Sequence, residues 1–166
     1  MTGSSQPGSA SEPTTYNILC VCTGNTCRSP MAEAILRNEI ALRGWRHVRV
    51  GSAGIAAATG EPAAENARLV AGEAGLDLSG HAARRLTHEL VDWADLILVM
   101  SPSHRNAVAR LGGGEKTALI TEFEEGEARP VDDPFGGDPG TYRRTFRRLE
   151  SAISALLERL ETIVAP

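Results

Sequence analysis

Residues 16–30 read YNILCVCTGNTCRSP, and the rest of the predicted architecture depends on them. The first part, 16–21, is a short apolar run that is typical of a buried parallel strand. The proline at position 30 favours the start of a helix, because its missing N–H costs nothing in a first turn. A strand, a short loop and a helix in direct succession therefore place residues 22–29 at the carboxyl end of that strand.

The loop at 22–29 combines a thiol with a guanidinium. Five residues separate Cys22 from Arg28, and so short a loop curls its backbone N–H groups inward, as in the nests that bind phosphate. The N-terminus of the following helix adds a positive partial charge, which favours the ionised, nucleophilic form of Cys22. Arg28 can grip two phosphoryl oxygens through its planar fork. The predicted phosphate-binding groups are therefore Thr23, Gly24, Asn25, Thr26, Cys27 and Arg28.

Two residues of this loop suit unusual backbone conformations. Gly24 permits a positive φ or a close approach of another segment, and Asn25 tolerates the left-handed region better than most residues. The sequence thus predicts a tightly curled loop that holds an oxyanion against a sulfur atom.

Length and composition limit the function classes. The 166 residues predict one domain with its own core, and 42% hydrophobic with 23% charged residues is ordinary for a soluble globular protein. A net charge of −4 argues against a nucleic-acid partner. No apolar run reaches the ~18 residues of a membrane span, no secretory signal is visible, and three closely spaced cysteines do not form a secreted disulfide framework. We expect a cytoplasmic protein with no membrane partner, and the oligomeric state stays open.

Strands and helices alternate along the chain. Residues 1–14 are rich in Ser, Gly, Pro and Thr and are predicted to be a disordered tail ahead of a single domain at 15–166. Further strands are predicted at 47–50, 95–100 and 117–121, and helices at 30–43 (capped by Ser29), 61–75, from a Thr87 cap, at 102–111 and at 140–164. Such alternation predicts an α/β fold with three layers, in which helices flank a four-stranded parallel sheet. The phosphate-binding loop would follow the first strand, where ligands bind in such sheets.

The string CTGNTCRSPMAE at 22–33, together with Asp-Pro-Phe at 133–135, resembles the low-molecular-weight protein tyrosine phosphatase family, whose signature is Cys-x5-Arg-Ser-Pro. The likeness covers residues 15–164. Thr26 and the DPFGG string at 133–137 make the bacterial protein arginine phosphatases the most similar branch. The resemblance implies a hydrolase that acts on phosphorylated proteins through a phosphocysteine intermediate, with no metal and no cofactor.

Attack of a cysteine on a phosphoryl group expels a poor leaving group, so a proton donor is needed. Asp132 and Asp133 both precede Pro134. Proline restricts the residue before it to extended conformations, which fixes the direction of the Asp133 carboxylate. The family motif also places the acid directly before the proline, so Asp133 is the predicted general acid and, once ionised, the base for the hydrolytic water.

Other roles come from the resemblance. It implies that Ser52 and His81 brace Asn25 and Ser29 of the loop, whereas His81 taken alone is typical of a surface histidine after a turn glycine. Family members with a cysteine at the place of Cys27 can form a disulfide with the nucleophile, which protects it from irreversible oxidation. The simpler alternative is that Cys27 is a small residue buried under the loop. His88 and His104 have no predicted partner.

Substrate choice is expected to depend on the walls of the pocket. Tyrosine-directed members resemble one another in carrying an aliphatic residue at the position of Thr26 and further aromatic residues beside the Asp-Pro motif. This chain has Thr26 and only Phe135, followed by two glycines. These features favour phosphoarginine as the substrate side chain, with phosphotyrosine as the alternative.

Two other classes share part of the pattern. Cysteine-based arsenate reductases begin with a similar loop but need further cysteines downstream, and none follows Cys27. A metal-binding module could use Cys20, Cys22 and Cys27. Strand alternation sends the first two to the same side, but no fourth ligand lies nearby in the sequence and Arg28 would oppose a cation.

Overall fold

The computed structural model describes residues 14–164. The predicted tail at 1–14 lies outside the described residues, apart from Thr14. The strands are β1 (Tyr16–Cys22), β2 (Val48–Gly54), β3 (Leu96–Val99) and β4 (Thr117–Leu119), and the helices are α1 (Arg28–Arg43), α2 (Glu65–Glu73), α3 (His88–Trp93), α4 (Pro102–Arg110) and α5 (Pro139–Val164). No helix within the described residues is long and apolar enough to cross a membrane.

The four strands form one parallel sheet, as predicted, and their order is β2-β1-β3-β4. The chain passes from β1 to β2 on one side and then crosses to β3 on the other side of β1. Ligands bind in sheets of this kind where the strand order reverses, beyond the carboxyl ends of the strands. That position is occupied by the loop that follows Cys22.

The alternation of side chains along β1 divides the core between the two faces of the sheet. Ile18, Cys20 and Cys22 belong to the larger core cluster with apolar residues of α1, α2 and α5. Leu19 and Val21 pack on the opposite face, with residues of α3 and α4. A strand covered on both faces needs an unbroken apolar run, which explains why residues 18–22 are all buried.

The stripe predicted along the C-terminal helix is confirmed. Tyr142, Phe146, Leu149, Ile153, Leu156, Leu157 and Leu160 are all buried on α5. Their spacing keeps them on one side of the helix, which packs against the sheet face that carries Cys22.

The start of α1 differs from the prediction. The helix begins at Arg28 rather than at Pro30, and Cys27 occupies the position of the N-cap without a side-chain hydrogen bond to the helix. The predicted Ser29 cap is therefore wrong. Ser29 lies inside the first turn, fully buried, and its hydroxyl contacts Cys22 and Asn25 instead. The other end is as predicted, because Gly44 adopts a left-handed φ of 70° and stops the helix.

Candidate active site

The backbone of the loop is held by its carbonyl groups. The Cys22 and Thr23 carbonyls accept hydrogen bonds from the N–H groups of Ile55 and Ala56, at 3.0 and 2.9 Å. The Thr26 carbonyl accepts from the N–H of Ala64 at 2.9 Å. By contrast, the N–H groups of residues 23–28 donate to no atom within residues 14–164. A loop whose carbonyls are bonded to the surrounding scaffold and whose N–H groups remain available is an anion-binding nest.

The tight curl depends on Asn25 and on a glycine outside the loop. Asn25 takes the left-handed conformation, with φ of 57°, whereas Gly24 is not among the residues with positive φ. The close approach occurs at Gly54, at the end of β2. A Cβ atom there would lie 2.5 Å from the Thr23 carbonyl oxygen and 2.8 Å from the Asn25 nitrogen. Any side chain at position 54 would therefore displace the loop.

A directed chain of hydrogen bonds reaches the thiol of Cys22. The Asn25 amide donates to the hydroxyls of Ser29 and Ser52, at 2.8 and 3.0 Å. Ser52 in turn donates to the Glu33 carboxylate at 2.5 Å. Because the Ser29 hydroxyl already accepts from Asn25, its own hydrogen is available for the Cys22 sulfur, 2.9 Å away. A hydroxyl that donates to the sulfur stabilises the thiolate, which is the nucleophilic form.

Asn25 is fixed by two further contacts. His81 Nε2 lies 2.7 Å from the Asn25 backbone carbonyl and must donate to it, because a carbonyl only accepts. The backbone N–H of Arg84 donates to Asn25 Oδ1 at 2.9 Å. The structure thus brings Asn25, Ser29, Ser52 and His81 together around the loop.

Arg28 is buried and anchored at one end of its guanidinium. Nη1 donates to the Val131 carbonyl at 3.0 Å, and Nη2 lies 3.4 Å from Thr23 Oγ1 and 3.6 Å from Asp133 Oδ2. Its Nε is buried and has no hydrogen-bond partner among the described residues. A buried donor without a partner is costly, so Nε favours an anion in the nest.

Asp133 stands at the mouth of this site. Its side chain is 49% exposed, and Oδ1 accepts from the N–H of Phe135 at 3.1 Å. That turn, together with Pro134, fixes the carboxylate beside Arg28. Asp132 is exposed and makes no hydrogen bond or ion pair to the loop in the described structure. Phe135 is 76% exposed next to them.

The two remaining loop residues differ in burial. Cys27 is buried under the loop and its sulfur is hydrogen-bonded to the Tyr142 hydroxyl at 3.3 Å. Burial raises the pKa of the Cys27 thiol, although the hydrogen bonds with Tyr142 and Thr26 act in the other direction. Thr26 is partly exposed, and its hydroxyl has only a long contact with the Cys27 sulfur, 3.7 Å. The Thr26 hydroxyl is therefore free to contact a bound substrate.

The sequence interpretation gave no role to Gly54, Arg84 and His104, which contact the loop, nor to Glu33, which accepts a hydrogen bond from Ser52. Glu33 had a signal, since it follows Ser29 by one helical turn on α1. The others come from distant segments that only the folded sheet brings to the loop. His104 is the most informative of them, because its Nε2 lies 2.9 Å from Thr23 Oγ1.

The arrangement contains no site for a metal within residues 14–164. No three His, Cys, Asp or Glu side chains in that range are placed to hold an ion. Cys20, Cys22 and Cys27 are free thiols. The geometry instead combines the Cys22 sulfur, an anion nest, a buried guanidinium and an exposed carboxyl. Together these groups can transfer an oxyanion group to sulfur and then to water.

Comparisons with known proteins agree with this geometry. Residues 17–165 match the model of the family described as low molecular weight phosphotyrosine protein phosphatase. The chain is 40% identical, over 89% of its own length and 97% of the relative's, to a protein named protein-arginine-phosphatase from Geobacillus stearothermophilus.

Two solved structures are close to this fold. One is a cysteine-to-serine mutant of YwlE arginine phosphatase with a phosphorylated active-site serine, with a TM-score of 0.82 and 35% identity over 87% of this chain and 95% of that one. The other is a low molecular weight protein tyrosine phosphatase from T. tengcongensis, with a TM-score of 0.82 and 38% identity over 88% of this chain and all of that one. The chain therefore belongs to the low molecular weight phosphotyrosine protein phosphatase family.

Proposed function

We propose that the chain hydrolyses phosphoarginine side chains of proteins through a phosphocysteine intermediate at Cys22. The observation that carries the phosphatase chemistry is the directed chain from Asn25 through Ser29 to the Cys22 sulfur, which holds this sulfur at the floor of an anion nest. The observation that favours phosphoarginine over phosphotyrosine is Thr26, whose partly exposed hydroxyl is available to a substrate.

In the first step the Cys22 thiolate attacks phosphorus. An S–P bond forms and the P–N bond to the guanidinium of the substrate breaks. The Asp133 carboxyl gives its proton to the departing nitrogen, so that arginine leaves as a stable cation. Arg28 and the N–H groups of the loop stabilise the charge on the phosphoryl oxygens as the bond breaks.

In the second step water attacks the phosphocysteine. Asp133, now ionised, removes a proton from the water, the P–O bond forms and the S–P bond breaks. Inorganic phosphate leaves, and cleavage of the S–P bond restores the thiolate of Cys22. The Ser29 hydroxyl and the loop stabilise this thiolate. The position of Asp133 supports both duties, because its half-exposed carboxylate beside Arg28 is accessible to a leaving group and to water.

The substrate assignment has support from the walls of the site. A threonine hydroxyl can accept a hydrogen bond from a phosphorylated guanidinium, which carries several N–H donors, but offers nothing to a phenyl ring. Phe135 is the only aromatic residue of the Asp-Pro segment, and two glycines follow it. Among the relatives of this chain, the name of the Geobacillus protein also specifies arginine.

The experiment compares two substrates in three enzymes. We expect wild type to show a higher kcat/KM for phosphoarginine peptides than for phosphotyrosine peptides. Thr26→Val, which removes the hydroxyl and keeps the shape, should lower the phosphoarginine value by roughly tenfold, since one hydrogen bond is lost. Thr26→Ile should lower it further and raise relative activity on phosphotyrosine.

Phosphotyrosine is the second candidate, supported by the family as a whole. Equal or higher activity of wild type on phosphotyrosine would contradict the arginine assignment while leaving the phosphatase chemistry intact. Unchanged preference in Thr26→Ile would show that Thr26 does not set it.

We further propose that Cys27 protects the nucleophile from irreversible oxidation. Peroxide would convert the Cys22 thiolate to a sulfenic acid, and the Cys27 thiol would then displace water to form a disulfide. The raised pKa of the Cys27 thiol supports this division of roles, because it favours the protonated form of Cys27, which peroxide does not attack directly. This chemistry is reversed by thiol reductants, and a reducing cytoplasm is the compartment we propose for the protein.

Peroxide treatment followed by a thiol tests the protective role. Wild type should recover most of its activity, whereas Cys27→Ser should lose activity permanently as Cys22 proceeds to the sulfinic acid. Cys20→Ala is the matched control, because Cys20 is a buried thiol on β1 outside the loop. Equal recovery of Cys27→Ser and wild type would leave Cys27 as a packing residue.

A further inference from the structure

His104 reaches the active-site loop from a separate part of the fold. It lies in the first turn of α4, which begins at Pro102 just after β3, the neighbour of β1 in the sheet. His104 is buried, with only 2% of its surface exposed. A buried imidazole beside the loop is a group that the two-step mechanism described above does not use.

The hydrogen bonds of His104 fix the position of its proton. The backbone N–H of Ser101 donates to Nδ1 at 3.2 Å, and a backbone N–H cannot accept. Nδ1 therefore carries the lone pair, and in the neutral ring the hydrogen resides on Nε2. Nε2 lies 2.9 Å from Thr23 Oγ1, so it donates to that hydroxyl.

The ring is kept neutral by its surroundings. Burial and the guanidinium of Arg28 lower the pKa of His104 to about 4, with Asp133 acting in the opposite direction. A protonated ring would also lose the bond from the N–H of Ser101. His104 is thus a neutral donor, which adds no second cation beside Arg28.

Thr23 receives two donors and keeps one hydrogen to give. Its Oγ1 accepts from His104 Nε2 and, at 3.4 Å, from Arg28 Nη2. Both lone pairs of the hydroxyl are then used, and its own hydrogen points away from both donors. Thr23 is exposed at the mouth of the nest, directly after Cys22.

We infer that His104 is a positioning residue of the phosphoryl site: it orients the Thr23 hydroxyl so that this group holds one end of Arg28 and presents its hydrogen to an oxygen of the bound phosphoryl group. This role rests on the proposed function, since it concerns the same site. This role explains why the capping box of α4 contains a histidine. Its Nδ1 accepts a hydrogen bond at the start of the helix, and its Nε2 donates one to the loop.

The experiment measures turnover and phosphate binding in a set of variants. His104→Leu and Thr23→Val should each lower kcat/KM and weaken the affinity for inorganic phosphate by about tenfold, as expected for one lost hydrogen bond. The double variant should be no worse than either single one, because both changes break the same chain. His104→Gln, whose amide can donate from the place of Nε2, should recover part of the loss.

His88→Gln is the matched control. His88 is an exposed histidine on α3, paired with Asp92 and without contact to the loop, so wild-type values are expected. Thermal melting shows whether His104→Leu is folded. The inference is overturned if the folded His104→Leu protein binds phosphate with the same affinity as His88→Gln. It is also overturned if the losses of phosphate affinity in His104→Leu and Thr23→Val multiply in the double variant. If His104→Leu does not fold, the test uses Thr23→Val with and without His104→Gln. A difference in phosphate affinity between these two proteins would also overturn the inference.

Phosphate affinity measured by calorimetry tests this inference independently of the proposed function. A wild-type protein that binds phosphate but hydrolyses neither phosphoarginine nor phosphotyrosine peptides would contradict the proposed function alone. The dependence of phosphate affinity on His104 would still support the positioning role or overturn it.

Discussion

Replacement of Cys22 by serine is expected to lower kcat by at least about 10³-fold, the scale of loss when an enzyme's nucleophile is removed. The physical reason is that the donors around position 22 are arranged for a thiolate. The Ser29 hydroxyl, 2.9 Å from the sulfur, stabilises a charge that an alcohol does not carry at neutral pH. Steady-state kinetics on phosphoarginine peptides measures the effect.

Phosphate binding should survive the same change. The N–H groups of residues 23–28 and the Arg28 guanidinium remain in place, so Cys22→Ser should bind inorganic phosphate within a fewfold of wild type. Cys20→Ala is again the control for loss of a thiol and should keep its activity. Residual turnover of Cys22→Ser close to wild type would show that another group attacks phosphorus.

Replacement of Asp133 by asparagine should lower kcat by about 10²- to 10⁴-fold on phosphoarginine, the usual contribution of a general acid. Asparagine keeps the shape of the turn at Phe135 but has no acidic proton. The loss should shrink for aryl phosphates whose leaving groups are good enough to depart without a proton. Measurement of kcat across leaving groups of graded pKa would show a steeper dependence in the variant.

Asp132→Asn provides the comparison for Asp133→Asn. Asp132 is the exposed neighbour without a hydrogen bond or ion pair to the loop in the described structure, and its replacement should change kcat by less than a few fold. An equal loss for every leaving group in Asp133→Asn, or a larger loss in Asp132→Asn, would remove Asp133 from the role of general acid.

The architecture could be predicted because it depends on local patterns. The buried run before Cys22, the run at Leu96–Val99 and the stripe of α5 each follow from the periodicity of one segment. The start of α1 could not be read in this way. Pro30 is a common first helical residue, yet the loop carries the chain into helical geometry two residues earlier, so that Arg28 and Ser29 face the nest.

The parts of the site that were missed have a common cause. Gly54 and His104 are ordinary in their own segments, one at the end of a strand and one in a helical turn. Their importance arises only because β2 and β3 flank β1 in the sheet, which brings the Gly54 backbone against Thr23 and the His104 ring against its hydroxyl. Contacts between distant segments leave no periodic trace in a sequence.

The proposed mechanism requires a covalent phosphoryl group on Cys22, and this group can be trapped. Wild type mixed with a phosphoarginine protein, quenched in acid within the first turnover and digested, would be examined by mass spectrometry. We expect one added phosphoryl group on the peptide that contains Cys22, and none in Cys22→Ala. Rapid turnover with no adduct, or an adduct on any other residue, would contradict it.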